Sequence, residues 1–204
     1  MRVAIYYTPA ADDPLTICAA EWLGRDAFDN RSTRGRDPEI DPIVSEPARY
    51  GFHATLKAPF RLREQLLFPE FTRHFSDFAQ QISGFDLGFP VLRRIGRFFA
   101  LTPVCPPAGL AELEEAVRTH FEPFRAPLTE AEIERRKPHL LNARQRENFE
   151  RWGYPHVGED FRFHMTLTNA IDDDQQAANI EAMLKDHFSA VLQRPLQIEG
   201  IALF

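Results

Sequence analysis

The chain has 204 residues, 44% of them hydrophobic, with 18 phenylalanines, 10 glycines and a formal net charge of −6. That suffices for one domain, or two related lobes, around an aromatic-rich core, and it includes no run of about 20 apolar residues such as a membrane span needs. The charge argues against a protein that holds nucleic acid mainly by counterion release, and the two cysteines, Cys18 and Cys105, exclude a disulfide framework and a cysteine metal site.

Residues 2–8 read as a first strand closed by Pro9, with no apolar signal region after it, so a cytoplasmic location is expected. Asp13 is the expected N-cap, and Pro14 the first residue, of a helix reaching Leu23. Residues 24–49 are rich in Gly, Asp, Arg, Pro and Ser and read as a long surface connection with a helical turn near Pro42 to Ser45. Connections of that length are often functional. A strand runs from about Phe52 to Phe60, then a helix from Glu64 to about Ser83, where Leu66, Phe68, Phe71, Phe75 and Phe78 recur near helical spacing. Strands Phe85 to Arg94 and Arg97 to Val104 follow, joined at Gly96, and then a helix from Ala108 to about His120. The charged segment 121–150 reads as a helical insertion divided near Pro138, with capping-box spacing from Thr129 to Glu132. A strand from about Arg162 to Thr168, a helix from Asp172 to Leu192 and a strand from Gln197 to Phe204 come last. This alternation predicts an α+β fold, sheet on one side and helices on the other, as one domain over residues 1–204.

Two of these strands carry one pattern. Phe52-His53-Ala54-Thr55-Leu56 and Phe163-His164-Met165-Thr166-Leu167 repeat Phe, His, Thr and Leu at identical offsets. Strand side chains alternate, so His and Thr share one face in each copy while the apolar residues take the other. A lone strand histidine is more often packed or solvent-facing than catalytic, and one H-x-T tripeptide barely alters that. Two copies with matching apolar neighbours do, and an internal pseudo-repeat is the simplest account. Opening a cyclic phosphodiester needs a base for water, an acid for the departing oxygen and donors for the non-bridging oxygens. Imidazole serves as either acid or base near neutrality. His53 and His164 are the candidate acid–base pair. Thr55 and Thr166, with restricted β-branched rotamers, are candidate phosphate donors.

The segments Tyr50-Gly51-Phe52-His53-Ala54-Thr55-Leu56-Lys57-Ala58-Pro59-Phe60, Trp152-Gly153-Tyr154-Pro155 and Phe161-Arg162-Phe163-His164-Met165-Thr166-Leu167-Thr168 resemble the two-histidine (2H) phosphoesterase superfamily. They are most similar to its branch associated with phosphonate metabolism, whose members are encoded beside carbon–phosphorus lyase genes. The resemblance covers essentially the whole chain and is most specific in the H-x-T strands. It implies a bilobal, pseudo-two-fold fold in which two mainly antiparallel sheets form a cleft, helices outside, with one motif from each lobe. It implies a metal-independent cyclic phosphodiesterase without a cofactor, acting on a small phosphorylated metabolite: a sugar phosphate or nucleotide, with a ribosyl cyclic phosphate the specific expectation. By the same analogy His164 activates water and His53 protonates the leaving oxygen. The motifs lie farther apart than is usual in the superfamily; segment 121–150 accounts for the excess and is expected at one rim of the cleft. The chain also stops at Phe204, in a strand, where relatives continue, which predicts an exposed edge or a partner-completed sheet.

Flanking residues supply further candidates. Lys57 lies two after Thr55 and Arg162 two before His164, so by strand alternation each shares the motif face and is a candidate phosphate ligand, with a surface charge as the alternative. Tyr6, Tyr154 and Thr168 are candidate substrate contacts, although packing is the commoner fate of a tyrosine. The runs Arg93, Arg94, Arg97 and Arg135, Arg136, Lys137 read as solvated faces. His156, Asp160 and His164 lack the spacing of a three-ligand zinc site, so no metal ligand is assigned. His74, His120, His139 and His187 read as structural or solvent-facing. Three other functions stay open: a phosphometabolite-binding module without turnover, processing of RNA 2′,3′-cyclic ends, and a metal-dependent hydrolase.

Overall fold

Arg2–Tyr7 forms β1, which puts Val3, Ile5 and Tyr7 into the core and turns Ala4 and Tyr6 to the opposite face. The computed structural model to which this strand belongs describes all 204 residues. Helix α1, Pro14–Leu23, starts as expected: the Asp13 side chain accepts from Leu15 N at 2.7 Å. Its Trp22 is buried and donates Nε1–H to the Leu167 carbonyl at 2.9 Å, tying α1 to the second motif.

The connection 24–49 holds more structure than its composition suggests. A hairpin of β2 (Arg25–Asp26) and β3 (Arg31–Ser32) precedes a ten-residue helix, α2, Asp41–Tyr50. Two prolines masked that helix. Pro42 occupies the first turn, where no N–H is needed. Pro47 lies inside and donates no N–H to Ile43, whose free carbonyl accepts Asn169 N at 2.6 Å. The helix-breaking residue thus docks α2 onto the end of the second motif.

The chain continues through β4 (Ala54–Arg61), α3 (Phe68–Ala79), β5 (Phe85–Gly88), β6 (Pro90–Ile95), β7 (Phe98–Pro103) and α4 (Ala108–His120). The strand expected over 85–94 is divided at Gly88, whose φ of +79° ends β5. The insertion consists of a 3-10 turn at Glu122–Phe124, α5 (Glu130–Arg135), a second 3-10 turn at Pro138–Leu140 and α6 (Ala143–Trp152), with capping boxes at Thr129 and Asn142. The second motif forms only a two-residue strand, β8 (Met165–Thr166), followed by α7 (Asp174–Phe188), β9 (Leu196–Ile198) and β10 (Ala202–Leu203). The last expected strand is split, with β9 pairing β5 and β10 pairing β1.

The fold is α+β, with seven helices and open antiparallel sheets. In place of two sheets flanking a cleft there is one six-stranded sheet, ordered β10-β1-β4-β8-β7-β6, and two small two-stranded ones. The sheet is continuous because the motif strands β4 and β8 pair with each other at its centre. Helices α1, α4 and α7 supply Trp22, Val117 and Leu184 to a single core of 32 buried residues against one face. No helix is long and apolar enough to cross a membrane.

Candidate active site

The central residues of the two H-x-T motifs, Ala54 and Met165, are directly opposed across the antiparallel β4–β8 pair. Both are fully buried on the core face. Continuing that register by one residue either way sets His53 against Thr166 and Thr55 against His164, all four on the other face. Partners directly across such a pair lie roughly 5 Å apart. The two motifs thus form one cluster.

Each imidazole is fixed in the same way. His53 Nδ1 lies 2.8 Å from the Gly51 carbonyl and His164 Nδ1 lies 2.7 Å from the Arg162 carbonyl. Gly51 carries out its part in a conformation closed to other residues: φ is +80°, and an added Cβ would lie 2.2 Å from the Ala27 Cβ. The Tyr6 ring stacks on His53 at 3.9 Å and 24°, with Tyr50 edge-on at 6.4 Å, while Phe98 lies 5.6 Å from His164. Burial holds the His53 imidazole below its ordinary pKa; the Gly51 hydrogen bond opposes this and the His164 imidazole adds to it. Burial, with Tyr50 and Tyr154 nearby, pushes the Tyr6 phenol up to about 12.

A cavity of about 430 Å³ opens over three members of this cluster, His53, Thr55 and Thr166, with Tyr6, Tyr50, Glu46 and Arg136 also on its wall; His164 lies outside that lining. The α2 wall is secured by Asn169, which donates Nδ2–H to Pro42 O and Ser45 Oγ, both at 2.8 Å, and accepts from Glu46 N at 2.8 Å. The insertion contributes one residue, Arg136, to the lining. Its α5 is clasped by Glu132, which accepts from Arg2 Nη1 at 2.6 Å, Arg61 Nε at 3.2 Å and Thr129 N at 2.9 Å. The Thr129 backbone N–H and Arg61 together pull the Glu132 carboxyl down to about 2. One helical turn on, Arg136 reaches into the cavity with its guanidinium 4.9 Å from the Tyr154 ring centroid. A larger cavity of about 1070 Å³ lies elsewhere, among Arg63, Arg125, Pro138 and Phe149, and includes neither motif.

Several flanking expectations need correction. Lys57 does not share the Thr55 face. A bulge in β4 makes Thr55 pair with Tyr6 but Lys57 with Ile5, so Lys57 turns into the core. There its Nζ donates to Glu122 Oε2 at 2.9 Å and to the Arg118 carbonyl at 3.2 Å, and burial lowers its pKa despite Glu122. Arg162 precedes the paired part of β8 and binds the Glu159 and Phe161 carbonyls instead of facing the cleft. Thr168 lines the cavity, but its hydroxyl accepts from Phe99 N and donates to Asn169 O, both at 2.9 Å, which leaves no proton for a substrate. His156 is packed edge-on to Tyr154 and Asp160 pairs with Arg144; no group of three acidic, His or Cys side chains is arranged to hold a metal ion. Tyr50, Glu46, Phe98, Asn169 and Arg136 are among the lining residues that motif reading passed over. The Tyr50-Gly51 segment before the first motif was a usable signal for Tyr50; none pointed to Arg136.

These features define an α+β protein whose open antiparallel sheet gathers a paired His/Thr cluster into one cleft. The chain belongs to the DUF1045 family, described as a protein of unknown function, whose pattern matches residues 55–204. It is 35% identical over 211 residues to a protein of Janthinobacterium sp. (strain Marseille) named ribose 1,5-bisphosphate phosphokinase PhnN, covering 99% of this chain and 47% of that protein. It is 34% identical over 207 residues to a protein of the same name from Laribacter hongkongensis (strain HLHK9), covering 100% and 48%. The chain spans about half the length of these curated relatives.

Proposed function

We propose that the chain is a metal-independent phosphodiesterase that opens a cyclic phosphodiester of a small sugar phosphate by two-histidine acid–base catalysis, on the 2H pseudo-two-fold plan, in phosphonate breakdown. The observation that carries this reading is the Ala54–Met165 register, which brings two imidazoles and two threonines onto one face. The pathway rests on the resemblance of the motif segments to the phosphonate-associated branch.

A carbonyl only accepts, so both Nδ1 atoms carry protons and both Nε2 atoms are left for chemistry. The buried His53, disposed to stay neutral, is assigned as base and His164 as acid, the reverse of the superfamily analogy. His53 Nε2 takes a proton from water, the water oxygen bonds to phosphorus, one ring P–O bond breaks, and His164 Nε2–H protonates the departing sugar oxygen. Thr55 and Thr166 donate to the non-bridging oxygens as charge develops there.

The relatives' names concern a ribose bisphosphate, which supports a ribosyl substrate: breaking the O2–P bond of a 1,2-cyclic phosphate leaves the phosphate on O1. Those names belong to proteins about twice the length of this chain, and the kinase activity they state is not carried over to it. Phosphorus NMR of ribose 1,2-cyclic phosphate with the protein and EDTA tests the proposal. Ring-opened product that disappears with His164→Ala is the expected result; no turnover of this compound or of a 2′,3′-cyclic nucleotide overturns it in favour of a binding module.

A further inference from the structure

The cleft extends beyond the motifs. Tyr6, Tyr50, Pro59 and Arg136 line both the motif cavity and a second cavity of about 550 Å³, within the range of small-ligand sites. The second cavity is walled by Arg2, Arg135 and Arg136, by Phe204 at the end of the chain, and by no Asp or Glu side chain, in a chain of net charge −6. The three arginines are not equivalent. Arg2 is engaged with Glu132 and with the Pro59 carbonyl at 2.8 Å. Neither Arg135 nor Arg136 enters any ion pair of the protein. Of the three carboxylates on their helix, Glu130, Glu132 and Glu134, Glu132 is held by Arg2, Arg61 and Thr129, and neither Glu130 nor Glu134 is ion-paired with an arginine. A guanidinium without an ion-pair partner, on the wall shared by this cavity and the one that holds His53, Thr55 and Thr166, is placed to bind an anion at a distance from the reacting bond.

We propose that the second cavity is a subsite for a phosphate monoester carried by the same substrate, with Arg136 as its ligand and Arg135 adding charge. The substrate is then a sugar cyclic phosphate bearing a second, terminal phosphate, and the 121–150 insertion is the element that selects it. The proposal rests on the phosphodiesterase reading of the motif cleft. Guanidinium presents paired N–H donors that match phosphate oxygens, which an ammonium does not. Tyr6 and Tyr50, on the boundary of the two cavities, are placed to pack against the sugar between the two phosphates.

The test is kcat/KM for ribose 1,2-cyclic phosphate with and without a 5-phosphate, in wild type, Arg136→Ala and Arg136→Lys. Wild type should favour the 5-phosphorylated compound by roughly 10- to 100-fold, the range for losing hydrogen bonds to a charged group. Arg136→Ala should bring the ratio near one, and Arg136→Lys should keep part of it. A ratio near one in wild type, a ratio unchanged in Arg136→Ala, or a 2′,3′-cyclic nucleotide preferred to both compounds overturns the subsite. If Arg136→Ala does not fold, the exposed Arg135→Ala must narrow the ratio for the proposal to stand. Calorimetry with ribose 5-phosphate requires no turnover. Binding to wild type that weakens in the Arg136 variants supports the subsite even if neither cyclic compound is opened, a result that sinks only the motif-cleft reading. No binding to wild type overturns the subsite.

Discussion

His53 and His164 are held by one device used twice: each Nδ1 lies within 2.8 Å of the carbonyl two residues earlier in the chain. Each Nδ1 is therefore a donor, each Nε2 is left for chemistry, and what distinguishes the two rings is surroundings. His53 lies beneath Tyr6 and is depressed by burial. Alanine at either histidine should lower kcat by about 10²–10⁴-fold, the usual contribution of positioned proton transfer. Both losses measured in EDTA, without change in fold, are the expected result.

The His53 environment also fixes a pH dependence. A base must be neutral, and a lowered pKa keeps it neutral to more acidic pH, so kcat/KM should fall only below the ordinary histidine value of about 6.5. Tyr6→Ala admits water to the ring and should move that limb up towards 6.5, whereas Tyr6→Phe keeps the stack and should leave it in place. A limb indifferent to Tyr6→Ala would remove burial as its cause.

Thr55 and Thr166 are half-buried and donate to no protein group, so their hydroxyls do little for stability. Thr55→Val and Thr166→Val keep the shape of the side chain and should melt near wild type. Each should lose roughly 10- to 100-fold in kcat/KM if its hydroxyl binds the charged phosphoryl group. A variant that loses stability but keeps activity would assign the hydroxyl to folding.

The parts of this site legible in sequence are those set by strand alternation over two or three residues. His-x-Thr placed both side chains on one face, and the apolar Ala54 and Met165 on the other, without knowledge of the partner strand. The same rule failed at Lys57, two residues further on, because the bulge depends on how β1 pairs with β4, a property of neither segment alone. Helix α2 was missed because Pro47 is tolerated only when Asn169, more than a hundred residues away, uses the carbonyl it frees. Arg136 read as a solvated charge for the same reason: its place in the cavity follows from the Glu132 clasp, not from its neighbours in sequence.

Gly51→Ala should be costly. It forces a side chain at φ +80° and meets Ala27 at 2.2 Å, so a loss of about 1–3 kcal/mol is expected from backbone strain before any clash is counted. Because the Gly51 carbonyl orients His53, kcat should fall as well. Adding Ala27→Gly removes the clash but not the dihedral strain, and should restore part of the stability. Full recovery in the double variant would show that φ contributes nothing.

Lys57→Met separates the sequence expectation from the structure. A phosphate ligand would take much of kcat/KM with it. A core lysine paired with Glu122, which keeps Arg125 Nη2 at 2.5 Å, should instead cost about 1–3 kcal/mol in stability and leave kcat/KM at the wild-type level. Denaturant melts and kinetics on one preparation decide between them.

Glu132 carries the last prediction. Its carboxyl is held near 2 in the folded protein, below the usual glutamate value of about 4.3. A depressed carboxyl stabilises the fold above its unfolded pKa, and that contribution is lost as pH falls through the folded value. The clasp on α5 should therefore loosen between about pH 4.5 and pH 2, seen as faster amide exchange at Thr129 and Glu132 than in the β4–β8 core. At neutral pH, Glu132→Gln removes the charge that holds Arg2 and Arg61 while keeping the shape. With α5 less firmly held, Arg136 is less well placed, so KM for a substrate with a second phosphate should rise while kcat changes little. A fall in kcat with KM unchanged would mean that the clasp acts on the histidines and not on the insertion.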